Sequence, residues 1–502
     1  MNGEVIAFIL YFLVVLGIGI FFFLKSKNAG EKEYFLGGRS MGPWVTALSA
    51  QASDMSAWLL MGLPGSILAF GFGEVWIGIG LALGTAANWI FVAKRLRRFS
   101  AAANDSITLP QYLSNRFGSG HKALQIVSAI IFLVCFTVYV ASSFVAGTGV
   151  FTSVFPSLDK ETAMLIFAAI ILVYTFLGGF KAVCWTDFFQ GLLMLVAVLA
   201  VPIIAAASGD TNPDFLKEVY TYGEGSKMVE CAFVGTPFEA SWQDIVSGLA
   251  WGLGYFGMPH ILVRFMSIKK AKDINLAATI AIIWVVIALG AVVVLAILGR
   301  MIVGPELLAD GSQSLVFVKM AQKYFPPFIA GILMAAIIAA SMSTADSQLL
   351  VASSSFTSDL YKPSIRKNAS NKEALWVGRG VVLLVAVVAY FIASSKSEGA
   401  QAIMNLVENA WAGFGSSFGP VVLLSVFWKR LTYKGALAGV VGGALADVVW
   451  LAGGLSASTG VYELVPGFIV GLVAAVVVTL IDKKPSAEAL AVFEAATSPE
   501  AE

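Results

Sequence analysis

The 502-residue chain is 58% hydrophobic and only 13% charged, roughly half the charged share of a soluble domain. Its formal net charge of +1 supplies no basic surface for nucleic acid. Its three cysteines, Cys135, Cys184 and Cys231, are odd in number and scattered, which argues against a disulfide framework or a thiolate metal centre.

What remains is an integral membrane protein, and the 49 glycines fit helices that pack closely in lipid. A span needs about 20 mainly apolar residues. Thirteen segments satisfy this: 5–24, 42–70, 74–93, 123–150, 162–180, 187–207, 242–263, 275–299, 326–356, 373–394, 400–428, 435–453 and 461–481. The chain starts MNGEVIAFILYF without a basic leader, so the first segment is expected to be a retained span and not a cleaved signal. The second, fourth, ninth and eleventh are long, which implies tilt, a break or an extension beyond the bilayer.

Residues 47–65 of the second span read ALSAQASDMSAWLLMGLPG. A charge near the bilayer midplane costs about 2.5–3.5 kcal/mol even on mild scales, so the Asp54 carboxylate is expected to face an interior pathway. Ala50, Ala52, Ser53, Ser56 and Ala57 crowd around it, with Gly62, Pro64 and Gly65 beyond. Such a stretch can unwind and turn carbonyls, those of Ala52 and Met55 among them, toward a cation. Three roles stay open for Asp54: direct sodium ligand, proton carrier, or structural partner of Arg39 or of a backbone donor. In the third span, GIGLALG at 78–84 has the look of a nucleotide loop, but its place inside an apolar run makes close helix packing the better reading. Asp187, in KAVCWTDFF at the start of the sixth span, reads as a gate or exit residue or as an anchor paired with Lys181.

The longest loop, about 208–241, carries Asp210, Asp214, Glu218, Glu224, Glu230 and Glu239. It is long enough to fold over a vestibule; a plain solvated loop is the alternative. The seventh span contains SGLAWGLGYFGMPH, residues 247–260, where Gly252, Gly254, Gly257 and Pro259 break a continuous helix. In the ninth, GILMAAIIAASMSTADSQLL over 331–350 puts Ala340, Ser343 and Thr344 on one face. Their two hydroxyls can serve a hard monovalent cation, or can bond carbonyls one turn back in their own helix. Asp346 points elsewhere and is free to pair with a basic group.

Counting Lys and Arg over alternating loops puts 25 on one side, Lys27 among them, and 7 on the other, Lys227 among them. The positive-inside bias then sets the N-terminus outside and the C-terminus in the cytoplasm. The interrupted second and seventh spans lie five apart and so enter from opposite sides. Spans 2–6 and 7–11, about 42–207 and 242–428, are expected to form two inverted five-helix units within one transmembrane domain over 1–484. Residues 485–502, rich in Ala and Glu, read as a short, partly disordered cytoplasmic tail.

Together, YFLGGRSMGPWVTALSAQASDMSAWLLMGLPG (34–65), WGLGYFGMPH (251–260) and MSTADSQLLVASS (342–354) resemble the sodium/solute symporter family, most closely its proline carriers. The resemblance implies an all-α, leucine-transporter-like membrane fold of about thirteen helices. It implies a sodium-coupled symporter that imports L-proline by alternating access across the cell's inner (plasma) membrane. It also implies a sodium site made of the carbonyls of Ala52, Met55 and Ala340 and the hydroxyls of Ser343 and Thr344, with Asp54 as the sodium-linked carboxylate. Ser56, Trp251, Tyr255 and Pro259 match substrate positions, Arg39 one associated with coupling, and Asp187 one on the ion's exit route. Trp58 and Tyr139 complete an aromatic box suited to a zwitterion with a compact apolar ring. Ala57 and Met258 depart from the Gly and Gln expected there, which loosens the choice of proline over betaine or another amino acid. Sodium is expected as the co-transported ligand with no further cofactor, and no obligate protein partner is expected. With only His121 and His260 and no metal-ligand spacing, an enzyme is disfavoured; a channel and a solute-binding sensor are the remaining alternatives.

Overall fold

The computed structural model describes residues 3–25, 30–118, 120–177, 179–223, 228–396 and 402–498. Lys27, Glu224, Lys227 and the last four residues of the tail lie outside these, as do positions 178, 400 and 401 of the predicted spans. All thirteen predicted segments are helical over most of their described length. Eleven helices among the described residues are long and apolar enough to cross a membrane. The other two predicted spans are the second, which is interrupted, and the fifth, Lys160–Leu177, whose first turn carries charge. Leu13, Phe21, Val134, Val196, Leu384 and Leu480 are exposed on the outside of the bundle, as a surface solvated by lipid requires. The ninth span lies deepest: from Leu333 to Ser354 every residue is buried.

Two interruptions organise the centre. In the second span, helix Pro43–Asp54 stops, and the chain resumes through a wide π turn, Trp58–Gly62, into Leu63–Phe70. In the seventh, Trp242–Gly254 begins at a capping box of Ser241 and Asp244, stops, and resumes as Pro259–Ser267. Pro259 in that first turn has no amide hydrogen to satisfy and a φ already suited to a helix start. The GIGLALG glycines pack as expected. A Cβ on Gly84 would lie 2.3 Å from the Gly252 carbonyl oxygen, and one on Gly252 would lie 2.3 Å from that of Gly80. The third span and the first half of the seventh therefore meet backbone to backbone.

The described part of the 208–241 loop is folded and tied down. Strands Tyr220–Tyr222 and Val229–Cys231 pair antiparallel, and Val234 exchanges backbone hydrogen bonds with Phe70 (3.0 Å) and Phe72 (2.9 Å) at the end of the second span. Buried Arg300 of the eighth span donates to the carbonyls of Leu68 (3.0 Å), Phe215 (3.0 Å) and Glu218 (2.6 Å). One guanidinium thus joins the loop to the second half of the broken span.

The tail departs from the sequence expectation. Ala487–Thr497 is a helix capped by Ser486, and it docks on the end of the third span. Phe493 meets Phe99 edge-on at 5.3 Å, buried Arg116 donates to the Ala489 carbonyl at 2.9 Å, and Lys429 pairs with Glu494 at 2.8 Å. Ala and Glu are also strong helix formers, and the surface that receives this helix comes from the far end of the sequence. Phe493→Ala is expected to cost about 1–2 kcal/mol of docking. Limited proteolysis checks this: the variant should lose its tail at protease doses that leave the parent intact.

Candidate functional site

Where Pro43–Asp54 ends, its last carbonyls lose their intrahelical donors. Ser343 Oγ donates to the Ala52 carbonyl at 2.8 Å and lies 3.1 Å from that of Ala340. The adjacent Thr344 hydroxyl is buried without a hydrogen-bond partner. The structure therefore brings Ala52, Ala340, Ser343 and Thr344 together across the second and ninth spans. Met55 is the first residue past the helix, at φ −79° and ψ 46°. Neither hydroxyl bonds the carbonyl one turn back at i−4. Ser343 reaches the third residue back and another helix, and Thr344 reaches nothing in the protein. Neutral oxygens of this kind suit a monovalent cation held weakly enough to leave.

Asp54 is 1% exposed. Its Oδ2 accepts from the Tyr255 hydroxyl at 2.6 Å, while Oδ1 is buried without a partner. The carboxylate thus links the two interruptions. Pairing with Arg39 does not occur. Gly37, Gly38 and Arg39 run in left-handed conformation, at φ 63°, 62° and 53°, and send the arginine to the end of the bundle opposite the 208–241 loop. There Arg39 donates to Asp105 Oδ1 (2.8 Å), the Ser106 carbonyl (2.9 Å) and the Met266 carbonyl (2.5 Å). Four donor contacts, counting that to Ser100 Oγ at 3.1 Å, hold a conformation that non-glycine residues seldom adopt. Arg97 donates to the Ile268 carbonyl at 2.8 Å, so two guanidiniums hold the end of the second half of the seventh span. Against the upward pull of partial burial, Lys32 and Arg39 hold the Asp105 carboxyl below the usual carboxylate range. The latch is therefore fully present above the ordinary carboxylate pKa and is lost as pH falls through the depressed value.

Asp187 is not an anchor for Lys181, which pairs with Glu33. It is fully buried and accepts from Arg264 Nη2 at 2.9 Å and Ser49 Oγ at 2.7 Å. Arg264 also donates to Ser49 Oγ (2.9 Å) and Ser347 Oγ (2.5 Å), the added hydrogen bonds a buried ion pair needs. Asp346 makes no ion pair among the described residues; its Oδ1 accepts from Ser347 Oγ at 3.3 Å, and its Oδ2 has no hydrogen-bond partner. Arg264 stands one residue past the predicted end of the seventh span at 263; the helix Pro259–Ser267 carries on through it and buries it.

The predicted aromatics converge. Trp58 and Trp251 rings lie 6.1 Å apart, and Tyr139 meets the His260 ring at 6.2 Å. Buried Ser56 accepts from the Trp58 amide at 3.4 Å, within the turn that follows Asp54, and Pro259 opens the second half of the seventh span. Trp251 also lines a cavity of about 1240 Å³ beneath the 208–241 loop, together with Tyr222, Glu74, Asp244, Glu408 and Tyr462. Sequence reasoning missed three residues here. Asn88 Nδ2 donates to the Tyr255 carbonyl at 2.9 Å, Trp411 Nε1 donates to the Trp251 carbonyl at 2.8 Å, and Tyr462 stacks on Trp251 at 5.5 Å. No spacing could have paired them with the break, because they reach it from distant spans.

Comparison with known proteins fits this geometry. The model of the sodium:solute symporter family matches residues 34–443. The chain is 45% identical to the sodium/proline symporter of Escherichia coli (strain K12), over 96% of this chain and 94% of that one. It is 44% identical to the high-affinity proline transporter PutP of Bacillus subtilis (strain 168), over 93% and 96%. Among solved structures, a substrate-bound, outward-open sodium-coupled sialic acid symporter aligns with a TM-score of 0.71 at 18% identity, over 97% of this chain and 99% of that one. At that identity the likeness speaks for the fold, which is the leucine-transporter-like fold expected from the sequence.

Proposed function

The chain belongs to the sodium:solute symporter family, and from that premise we propose that it imports L-proline together with sodium by alternating access. The observation that carries the reading is the pair of hydroxyls on the ninth span: Ser343 bound to the released Ala52 carbonyl, and Thr344 buried with its oxygen unspent. Sodium held there braces the break in the second span, and the solute lies between the two interruptions, near Trp58, Tyr139, Trp251 and Tyr255. Free amides and positive helix ends at the breaks receive its carboxylate. Aromatic faces receive its ammonium. Curated relatives that carry proline, matched over nearly the whole chain, favour this solute.

The cavity under the 208–241 loop and the Arg39 latch at the opposite end fit a protein open to one side and closed to the other. With the loop end outside and the Ala487–Thr497 helix in the cytoplasm, as the basic residues favour, solute enters past Trp251 and leaves past Arg39 and Asp187. The two interrupted spans support inverted units over about 42–207 and 242–428, in a protein of the cell's inner membrane. Each ligand raises affinity for the other, and that reciprocity is the coupling. One sodium moving inward across 100 mV contributes about 2.3 kcal/mol, roughly a forty-fold solute gradient.

Reconstitution into liposomes tests the proposal. Proline uptake is expected under an inward sodium gradient and not under a proton gradient alone, with betaine, alanine and glucose competing poorly. Equal uptake without sodium would remove the coupling; preference for betaine would replace the solute.

A further inference from the structure

The break in the seventh span strips carbonyls of their donors. At the end of Trp242–Gly254 the Tyr255 amide turns to the Leu253 carbonyl. The Trp251 carbonyl is taken instead by the indole N–H of Trp411, at 2.8 Å and buried. The Trp411 ring stacks on Trp251 at 6.2 Å and 29° and meets Tyr255 edge-on at 5.1 Å and 86°. Gly254 makes room for it, since a Cβ there would lie 1.9 Å from Trp411 Nε1. One side chain from the eleventh span thus touches both aromatics of the break and bonds its free carbonyl. Those aromatics face the solute region: Trp251 lines the cavity and meets Trp58, and Tyr255 donates to Asp54.

We propose that Trp411 is a positioning residue for solute binding, holding Trp251 and Tyr255 in their solute-facing arrangement through its N–H and its ring. The inference rests on the transport reading above and adds to it that the eleventh span sets solute affinity without touching the solute. A neutral buried hydrogen bond and an aromatic contact each act at the level of a few-fold in an equilibrium constant. Loss of the N–H should therefore appear in solute affinity and leave the Ser343–Thr344 site alone.

The experiment compares the parent with Trp411→Phe, which keeps a ring and removes the donor, and with Gly254→Ala, which presses on Trp411 from the other helix. Uptake into liposomes is normalised to the amount of inserted protein. Both variants are expected to raise the half-saturating proline concentration about fivefold, with maximal rate and sodium activation near those of the parent. Tyr112→Phe, which removes a buried hydrogen bond to Ser425 Oγ at 2.9 Å elsewhere on the eleventh span, is expected to stay within about twofold of the parent. An unchanged half-saturation in Trp411→Phe, or a loss confined to protein amount or maximal rate, overturns the inference. If the parent is driven by another small solute, the proline reading falls and the fivefold comparison is made with that solute. A parent that shows no sodium-driven uptake of any solute overturns both.

Discussion

Thr344→Ala is expected to raise the sodium concentration for half-maximal uptake by about tenfold or more, while proline half-saturation at saturating sodium stays nearly constant. The Thr344 hydroxyl is buried and has no hydrogen-bond partner in the protein, so its removal breaks no hydrogen bond that holds the fold. What it deletes is one oxygen facing a cation, and an interaction with a charged group is worth about 1.5–3 kcal/mol, roughly 10–150-fold in affinity. Ser343→Ala is a different lesion, because that hydroxyl also bonds the Ala52 carbonyl and ties the second span to the ninth. It should weaken sodium activation and loosen the break together. Reciprocal linkage adds a signature: at low sodium the Thr344→Ala protein binds proline poorly, and the defect disappears as sodium saturates. A sodium titration in proteoliposomes at two proline concentrations reads both effects. Sodium activation equal to that of the parent would remove Thr344 from the ion's path.

Local signals made the spans and their interruptions legible. Twenty-residue apolar runs, Gly and Pro clusters, and hydroxyls at helical spacing are set within a few residues of one another, and each survives in the structure where it was expected. The GIGLALG glycines show the same thing at finer grain, since a nucleotide loop has no place inside an apolar helix and the facing glycines of the seventh span complete the contact. Partner choice was not legible. Asp187 stands six residues from Lys181 and pairs instead with Arg264, and Asp54 takes Tyr255 and not Arg39. Those pairings are decided by which helices pack, and by the left-handed turn at Gly37, Gly38 and Arg39 that carries the guanidinium away. The tail taught the converse: its composition allowed either disorder or a helix, and a distant surface at Phe99 and Arg116 selected the helix.

The carboxylate of Asp54 supplies the second large effect. Asp54→Asn is expected to lower sodium-driven uptake at low sodium by roughly 100-fold, Tyr255→Phe to lower it by about tenfold, and the double variant to resemble Asp54→Asn alone. The Asn side chain has the same shape and still accepts from Tyr255, so the local fold is kept and the charge alone is lost. Tyr255→Phe does the reverse: the charge stays, buried, with neither oxygen hydrogen-bonded, a state whose cost exceeds that of a neutral orphan. Non-additivity follows because both changes act on one contact, Tyr255 hydroxyl to Asp54 Oδ2 at 2.6 Å. The same variants separate the roles left open by the sequence. A direct ligand or tuning charge predicts weakened sodium activation with no change in the response to proton gradients. A proton carrier predicts uptake that keeps its sodium dependence in Asp54→Asn and loses its dependence on pH. The buried Oδ1, without a hydrogen-bond partner on the last residue of Pro43–Asp54, favours the first: neutral oxygens hold the ion, and the unpaired carboxylate oxygen draws it in.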